Sequence, residues 1–154
     1  MTTLGNLRRL QNEVKKYRSV ATEYESYFQL NMIGDDMYHW EATLYGPIGS
    51  IYEGYKFKLD IKLPNDYPYH APSVKFITPI QHVNVNSSGD ICMDILKNNW
   101  STTQNMTTIT MSIISLMSDP NLDDPFNHDL ANLYKKNQKE YLRKIKDCCE
   151  KYKF

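Results

Sequence analysis

The chain has 154 residues, 41% of them hydrophobic and 23% charged, with 18 basic and 18 acidic side chains. By size that is a single domain, here taken as residues 1–154, with an ordinary globular composition and enough apolar material for a substantial core. It has no apolar run of about 18 residues and no signal-peptide pattern at its start, so neither a membrane nor a secretory role is expected.

The net charge of zero hides a partition. Residues 1–20 carry +4, residues 135–154 carry +5, and the stretch between them carries −9. Such asymmetry can steer partners by sign, but no nucleic-acid-binding motif accompanies the basic ends, so nucleic acid is not an expected partner. Of the three cysteines, Cys148 and Cys149 are adjacent, which makes a poor disulfide framework. No C-x₂-C spacing occurs either, so no metal site is expected, and a reducing cytoplasmic or nuclear compartment fits best.

In chain order, Leu4, Leu7, Leu10, Val14, Tyr17 and Ala21 recur at intervals of three and four, the stripe of an amphipathic helix. Arg8, Arg9, Lys15 and Lys16 fall largely off that stripe. From Tyr27 to Ile77 the period changes to two. Residues 27–30, 38–45, 55–61 and 73–77 read as four strands between turn-rich connections. Connections this short permit only antiparallel neighbours, because a parallel crossover needs about a dozen residues. Asn105 can cap a helix over 106–117 that Asp119-Pro120 stops, although its Thr, Ser and Ile residues are β-prone. Asn127 and Asn137 read as N-caps of two more helices, ending near 136 and 151. Tyr141, Leu142, Ile145, Cys149 and Tyr152 mark the buried side of the last helix, with Cys148 and Cys149 as packing residues. One helix, a four-stranded meander and three helices make an α+β fold.

Residues 82–100, HVNVNSSGDICMDILKNNW, hold the chemistry. Asn86-Ser87-Ser88-Gly89-Asp90 is a cluster of turn formers, and Cys92 follows it inside a mostly apolar run. A lone cysteine is most often a small buried hydrophobe; its alternative is a nucleophile, since even an unassisted thiol is a few per cent ionised at neutral pH.

His82-x-Asn84, then Cys92 eight residues on, Asp94-Ile95-Leu96 and Trp100-Ser101 closely resemble the active-site segment of ubiquitin-conjugating enzymes. Tyr45-Gly46-Pro47, Tyr52-Glu53-Gly54, Leu63-Pro64-Asn65-Asp66-Tyr67-Pro68-Tyr69 and Asp119-Pro120-Asn121-Leu122-Asp123-Asp124-Pro125 resemble the same family in its order. The resemblance implies the conjugating-enzyme (UBC) fold and no cofactor. It further implies that Cys92 takes ubiquitin's C-terminus as a thioester from the activating enzyme and passes it to a substrate lysine, usually with a ligase. Asn84 corresponds to the family asparagine whose amide can donate to the oxyanion, or hold the loop through backbone hydrogen bonds. Asp124 corresponds to the rim carboxylate that orients or deprotonates the lysine, with turn capping as its plainer alternative. His82 and Asp94 are implied supports of the site. Arg8 and Arg9 stand where the family docks on the activating enzyme. Pro68, Tyr69, Ser101, Thr102 and Thr103 stand on its ligase-facing surface.

The pattern departs from the family at Val83, normally proline, at Thr102-Thr103, where Pro-Ala usually follows the serine, and at Asn12, often lysine. Three other readings stay open. A non-catalytic ubiquitin-binding relative would lack the cysteine; a conjugating enzyme for another ubiquitin-like modifier would share it, although the SUMO enzyme would carry an insertion absent here; and a cysteine protease would need a second lobe.

Overall fold

The computed structural model describes residues 3–154. Helix α1 (Thr3–Tyr24) forms where the first stripe predicts it, with Leu10, Val14 and Tyr17 buried. Leu4, expected on the packed side, is 68% exposed. Periodicity gives the face of a helix but not how far along its axis a neighbour extends, and the packed part of this stripe begins at Leu10.

Strands β1 (Phe28–Ile33), β2 (Asp36–Tyr45), β3 (Lys56–Lys62) and β4 (Ser73–Phe76) pair in chain order, each antiparallel to the next. The first hairpin is tighter than its sequence suggests. Asn31, expected in a turn, pairs with Glu41, and Gly34 at φ +58° makes the reversal. One face of the sheet is dry, built from Phe28, Leu30, Trp40, Ala42, Leu44, Phe57, Leu59, Ile61, Val74 and Phe76. The other is wet and charged, with a His39–Asp60 hydrogen bond of 2.6 Å and a Lys58–Glu41 pair at 3.7 Å.

Helix α1 docks beside β1: Tyr17 stacks on Phe28 and its hydroxyl accepts from the Leu30 N–H at 2.9 Å. Ile109 and Ile113 of α2 (Met106–Ser118) complete the core. Cap geometry settles α2 against its β-prone composition, as expected. Asn105 Oδ1 accepts from Thr108 N, and Thr108 Oγ1 accepts from Asn105 N, both at 2.9 Å. Helices α3 (His128–Lys136) and α4 (Gln138–Tyr152) start from Asn127 and Asn137, whose side chains accept from the Leu130 and Glu140 N–H groups. On α4 only Tyr141, Ile145 and Cys149 are buried; Leu142 and Tyr152 are 47% and 40% exposed, contrary to expectation. The buried side follows the strict four-residue row, and Leu142 lies about 100° round the helix from Tyr141. Among the described residues, no helix is long and apolar enough to cross a membrane.

Candidate active site

Between β4 and α2 the chain runs in irregular backbone held by short antiparallel bridges, Lys75–Asp90, His82–Val85 and Val85–Ile91. The turn at Asn86–Asp90 is closed by Asn86 Oδ1, which accepts from Ser88 N at 3.0 Å and Asp90 N at 2.9 Å. Gly89 sits at φ +86°, and a Cβ there would lie 2.2 Å from the Phe76 carbonyl oxygen. Only glycine lets this turn approach the end of β4, where Gly89 O accepts from Phe76 N at 2.9 Å. The chain then returns so that the Cys92 N–H donates to the Asn84 carbonyl at 2.8 Å. Two residues eight apart in sequence are thereby neighbours.

Asn84 is fully buried, and its side chain reaches forward rather than toward the sulfur. Nδ2 donates to the carbonyls of Asn121 (2.8 Å) and Asp124 (3.2 Å), and Oδ1 accepts from Asn121 N at 2.8 Å. Of the two roles open to it, the folded chain displays the loop-holding one. Both amide hydrogens are engaged, so donation to an oxyanion would require giving up one of these bonds. Val83, where the family has proline, is also fully buried, and its carbonyl accepts from Phe126 N and Asn127 N, both at 2.9 Å. Residues 83 and 84 together fasten the 121–127 segment beside Cys92.

The result is convergence on one sulfur. Cys92 keeps 8% of its surface at the edge of a shallow groove of about 360 Å³. Its thiol donates to Asp124 Oδ2 at 3.2 Å, and Lys97 Nζ donates to the sulfur at 3.6 Å. Burial, then the Asp124 hydrogen bond, push the thiol above its ordinary value, while the Lys97 ammonium pulls it down. The resting sulfur is a protonated thiol between a carboxylate and an ammonium. Asp94, Asp119 and Asp124 line the groove together with Ser112, Ser115 and Leu116, so its charge favours an incoming ammonium.

His82 has no part in activating the thiol. It is 2% exposed; its Nδ1 accepts the Asn84 N–H at 3.0 Å, so the hydrogen is on Nε2 and bonds the Leu116 carbonyl at 2.8 Å. Desolvation pushes its pKa down to about 4, which keeps the ring neutral and structural. Asp94 opens a one-turn 3₁₀ helix, Asp94–Leu96, and its carbonyl accepts from Lys97 N and Asn99 N.

The chain belongs to the ubiquitin-conjugating enzyme family. The family model described as ubiquitin-conjugating enzyme matches residues 9–149. A probable ubiquitin-conjugating enzyme E2 of Acanthamoeba polyphaga mimivirus is 48% identical over 147 residues, covering 95% of this chain and 93% of its own. The E2 domain of a Toxoplasma gondii ubiquitin conjugating enzyme superposes with a TM-score of 0.85 at 33% identity, covering 96% of this chain and 99% of that one. A Plasmodium yoelii protein provisionally named a ubiquitin conjugating enzyme does so with a TM-score of 0.86 at 36% identity, over 96% and 95% of the two chains. The chain is therefore a conjugating enzyme, a transferase with the UBC fold.

The remaining expected residues lie on helix α1 and on the loops at 68–69 and 101–103. Tyr69 is 48% exposed, and Ser101, Thr102 and Thr103 are exposed, whereas Pro68 is buried. Pro68 thus offers little surface of its own; its carbonyl accepts from Trp100 Nε1 at 2.9 Å, and Trp100 lies 6.0 Å from the Tyr67 ring. These contacts hold the two loops side by side. Arg8 is exposed, and Arg9 is tied by Nη1 to Glu13 (3.1 Å) and by Nη2 to the Thr102 carbonyl (2.8 Å). Sequence reasoning missed Lys97 and Asp119. Asp119 has a signal, as the first acid of the 119–125 motif, but the resemblance implies a site role there for Asp124 alone. Lys97 had none, because the 3₁₀ turn that brings it back over Cys92 is too short to leave a periodicity.

Proposed function

We propose that Cys92 is the residue of this conjugating enzyme that carries ubiquitin, as a thioester received from the activating enzyme and discharged to a substrate lysine. The observation that carries the assignment is the thiol at the groove edge with the Asp124 carboxylate 3.2 Å away. Before loading, that carboxylate is occupied by the thiol proton. Acylation removes the proton from sulfur, and Asp124 Oδ2 becomes free to accept one from an amine entering the groove. The attacking amine forms the amide C–N bond, the C–S bond breaks, and sulfur regains a proton.

The acidic groove has two opposed effects. Its carboxylates attract the lysine ammonium, and the same charges favour the protonated amine, which cannot attack. Bringing a free lysine from a pKa near 10.4 to about 7 requires roughly 4–5 kcal/mol. Partial desolvation against Leu116 and the hand-over of one proton to Asp124 are the means this site offers. Asn84 acts as a positioning residue, since its three side-chain hydrogen bonds fix the loop that bears Asp124.

The partner surfaces follow the same reading. Arg8 and Arg9 meet the activating enzyme, and Tyr69 with Ser101, Thr102 and Thr103 meets a ligase. The three unpaired cysteines favour a reducing compartment, the cytoplasm or nucleus, as the site of action.

The test is a loading reaction with activating enzyme, ATP and ubiquitin, run in parallel with other ubiquitin-like proteins. Ubiquitin should give a reductant-sensitive adduct that is lost in Cys92→Ala and becomes reductant-resistant in Cys92→Ser. An adduct that survives Cys92→Ala places the carrier elsewhere. Preferential loading of another modifier reassigns the substrate.

A further inference from the structure

We infer that a second groove, next to the catalytic one, is a substrate subsite: it takes a carboxylate carried by the substrate chain near its target lysine, and Lys144 is the residue that reads it. The inference rests on the proposed role of Cys92 as carrier and concerns which lysines that carrier prefers.

The groove holds about 450 Å³ between two segments already fixed at the active site. Ile80, Gln81, Val85 and Ser87 line it from one of them, Phe126 and the start of α3 from the other, and Lys144 of α4 completes it. Val85 bridges Ile91, the residue before Cys92. The Phe126 ring centroid lies 5.0 Å from Lys97 Nζ, which is itself 3.6 Å from the Cys92 sulfur. One stretch of chain therefore borders both grooves: Asn121 and Asp124 line the catalytic one, Phe126 and Asn127 this one. An extended substrate advances ~3.3–3.6 Å per residue, so residues a few places from a lysine held at Asp124 come over the second groove.

Charge decides what the groove takes. On α4, Glu140 stands four residues before Lys144, the usual spacing for a helical ion pair. Arg143 draws that carboxylate away: its Nε bonds Glu140 at 2.6 Å and its Nη1 bonds Asp147 at 2.8 Å. Lys144, half-buried, is left with no ion pair or hydrogen bond among the described residues. Asp129 is the one acid lining the groove, and it lies in the first turn of α3, where the helix N-terminus offsets its charge. The uncompensated charge is thus the Lys144 ammonium. Gln81 adds a donor, since its Oε1 accepts from Asn127 Nδ2 at 3.1 Å and its Nε2 bonds no other described residue. Ile80 and Val85 are buried and apolar, so a carboxylate over them is less screened than one in open water. The catalytic groove has the opposite sign, from Asp94, Asp119 and Asp124. A lysine with an acid nearby matches this pair of fields in one orientation only; turned round, its acid meets Asp119 and Asp124.

The experiment is single-turnover discharge of the ubiquitin-loaded full chain to short peptides. Each holds one lysine, with Glu, Gln or Lys placed at a single position within about four residues on either side. At one or more positions the Glu peptide should react several-fold faster than the Gln peptide, chiefly through a lower KM, because the contact is the same before and during attack. Lys144→Gln should level the two peptides, and Lys144→Glu should reverse the order so that the Lys-flanked peptide leads. Loading and discharge to free lysine should match the parent in both variants. No Glu preference at any position, or a preference that keeps its size in Lys144→Glu, would overturn the inference while leaving Cys92 as carrier. Absence of any reductant-sensitive adduct at the start would overturn both.

Discussion

Cys92 titrates under opposed influences, and each can be removed separately. Burial and the Asp124 hydrogen bond hold the thiol protonated, and Lys97 favours the thiolate. Asp124→Asn should therefore lower the thiol pKa and Lys97→Met should raise it, read from the pH dependence of iodoacetamide alkylation. Shifts of the same sign would refute this account. His82 makes a different prediction. Its pKa is pushed down to about 4 in the folded chain, against about 6.5 unfolded. Between those values the unfolded chain binds a proton that the folded chain does not, so stability falls as pH drops through that window and is insensitive to this group above it. The full effect is about 3 kcal/mol at ~1.36 per unit. Urea midpoints from pH 7 to pH 4 should show that extra loss in the parent relative to His82→Asn; parallel curves would exclude it. Sequence made these residues visible through motif alone: Cys92, Asn84, Asp124 and His82 each sit at a family position. It did not reveal what they bond. The turning of Asn84 toward Asn121 and Asp124, and the neutrality of His82, depend on carbonyls some 34 to 40 residues away in the chain.

Elements were legible wherever a local signal dominates. The four strands and four helices follow from period and caps, and the errors fall where a local rule meets a distant partner. Asn31 falls in the connection the sequence predicts between residues 30 and 38 but is drawn into β1 by pairing with Glu41. Glu13 is the clearest case. In sequence it is merely the one acid among the first twenty residues, yet its side chain is only 6% exposed. Oε1 accepts from Arg9 and, at 2.6 Å, from the Tyr67 hydroxyl, while Oε2 accepts at 2.9 Å from Met106 N, an orphan donor of the first turn of α2. One carboxylate joins α1, the loop before Tyr69 and the start of α2. It also helps push the Tyr67 hydroxyl, already raised by burial, well above its usual range. Glu13→Ala leaves a buried hydroxyl and a backbone N–H unpaired and should cost on the order of 2–3 kcal/mol. Glu13→Gln keeps an acceptor and should cost less. Denaturant melts of the two variants check the ranking, and an equal loss would point to the charge rather than the hydrogen bonds.

At the scale of the whole molecule, the charge partition becomes spatial at Arg9. The basic first helix carries the proposed activating-enzyme surface, and Thr102 belongs to the proposed ligase surface; Arg9 Nη2 bonds the Thr102 carbonyl at 2.8 Å. Arg8, one residue away, is exposed. The two arginines should therefore separate. Arg8→Ala removes one steering charge, so it should raise KM for the activating enzyme in loading and leave ligase-assisted discharge unchanged. Arg9→Ala should raise that KM and also slow ligase-assisted discharge, because the 101–103 loop loses its tie to α1. Discharge to free lysine without a ligase involves neither surface and should match the parent in both variants. The loading defects should shrink as ionic strength rises, since screening weakens the steering that both arginines provide. The Arg9 discharge defect depends on a hydrogen bond that orders a loop, and it should persist in salt. Measuring both half-reactions at low and high salt tests each part, and an Arg8→Ala variant that slows ligase-assisted discharge as much as Arg9→Ala would show that the Thr102 bond does not couple the two surfaces.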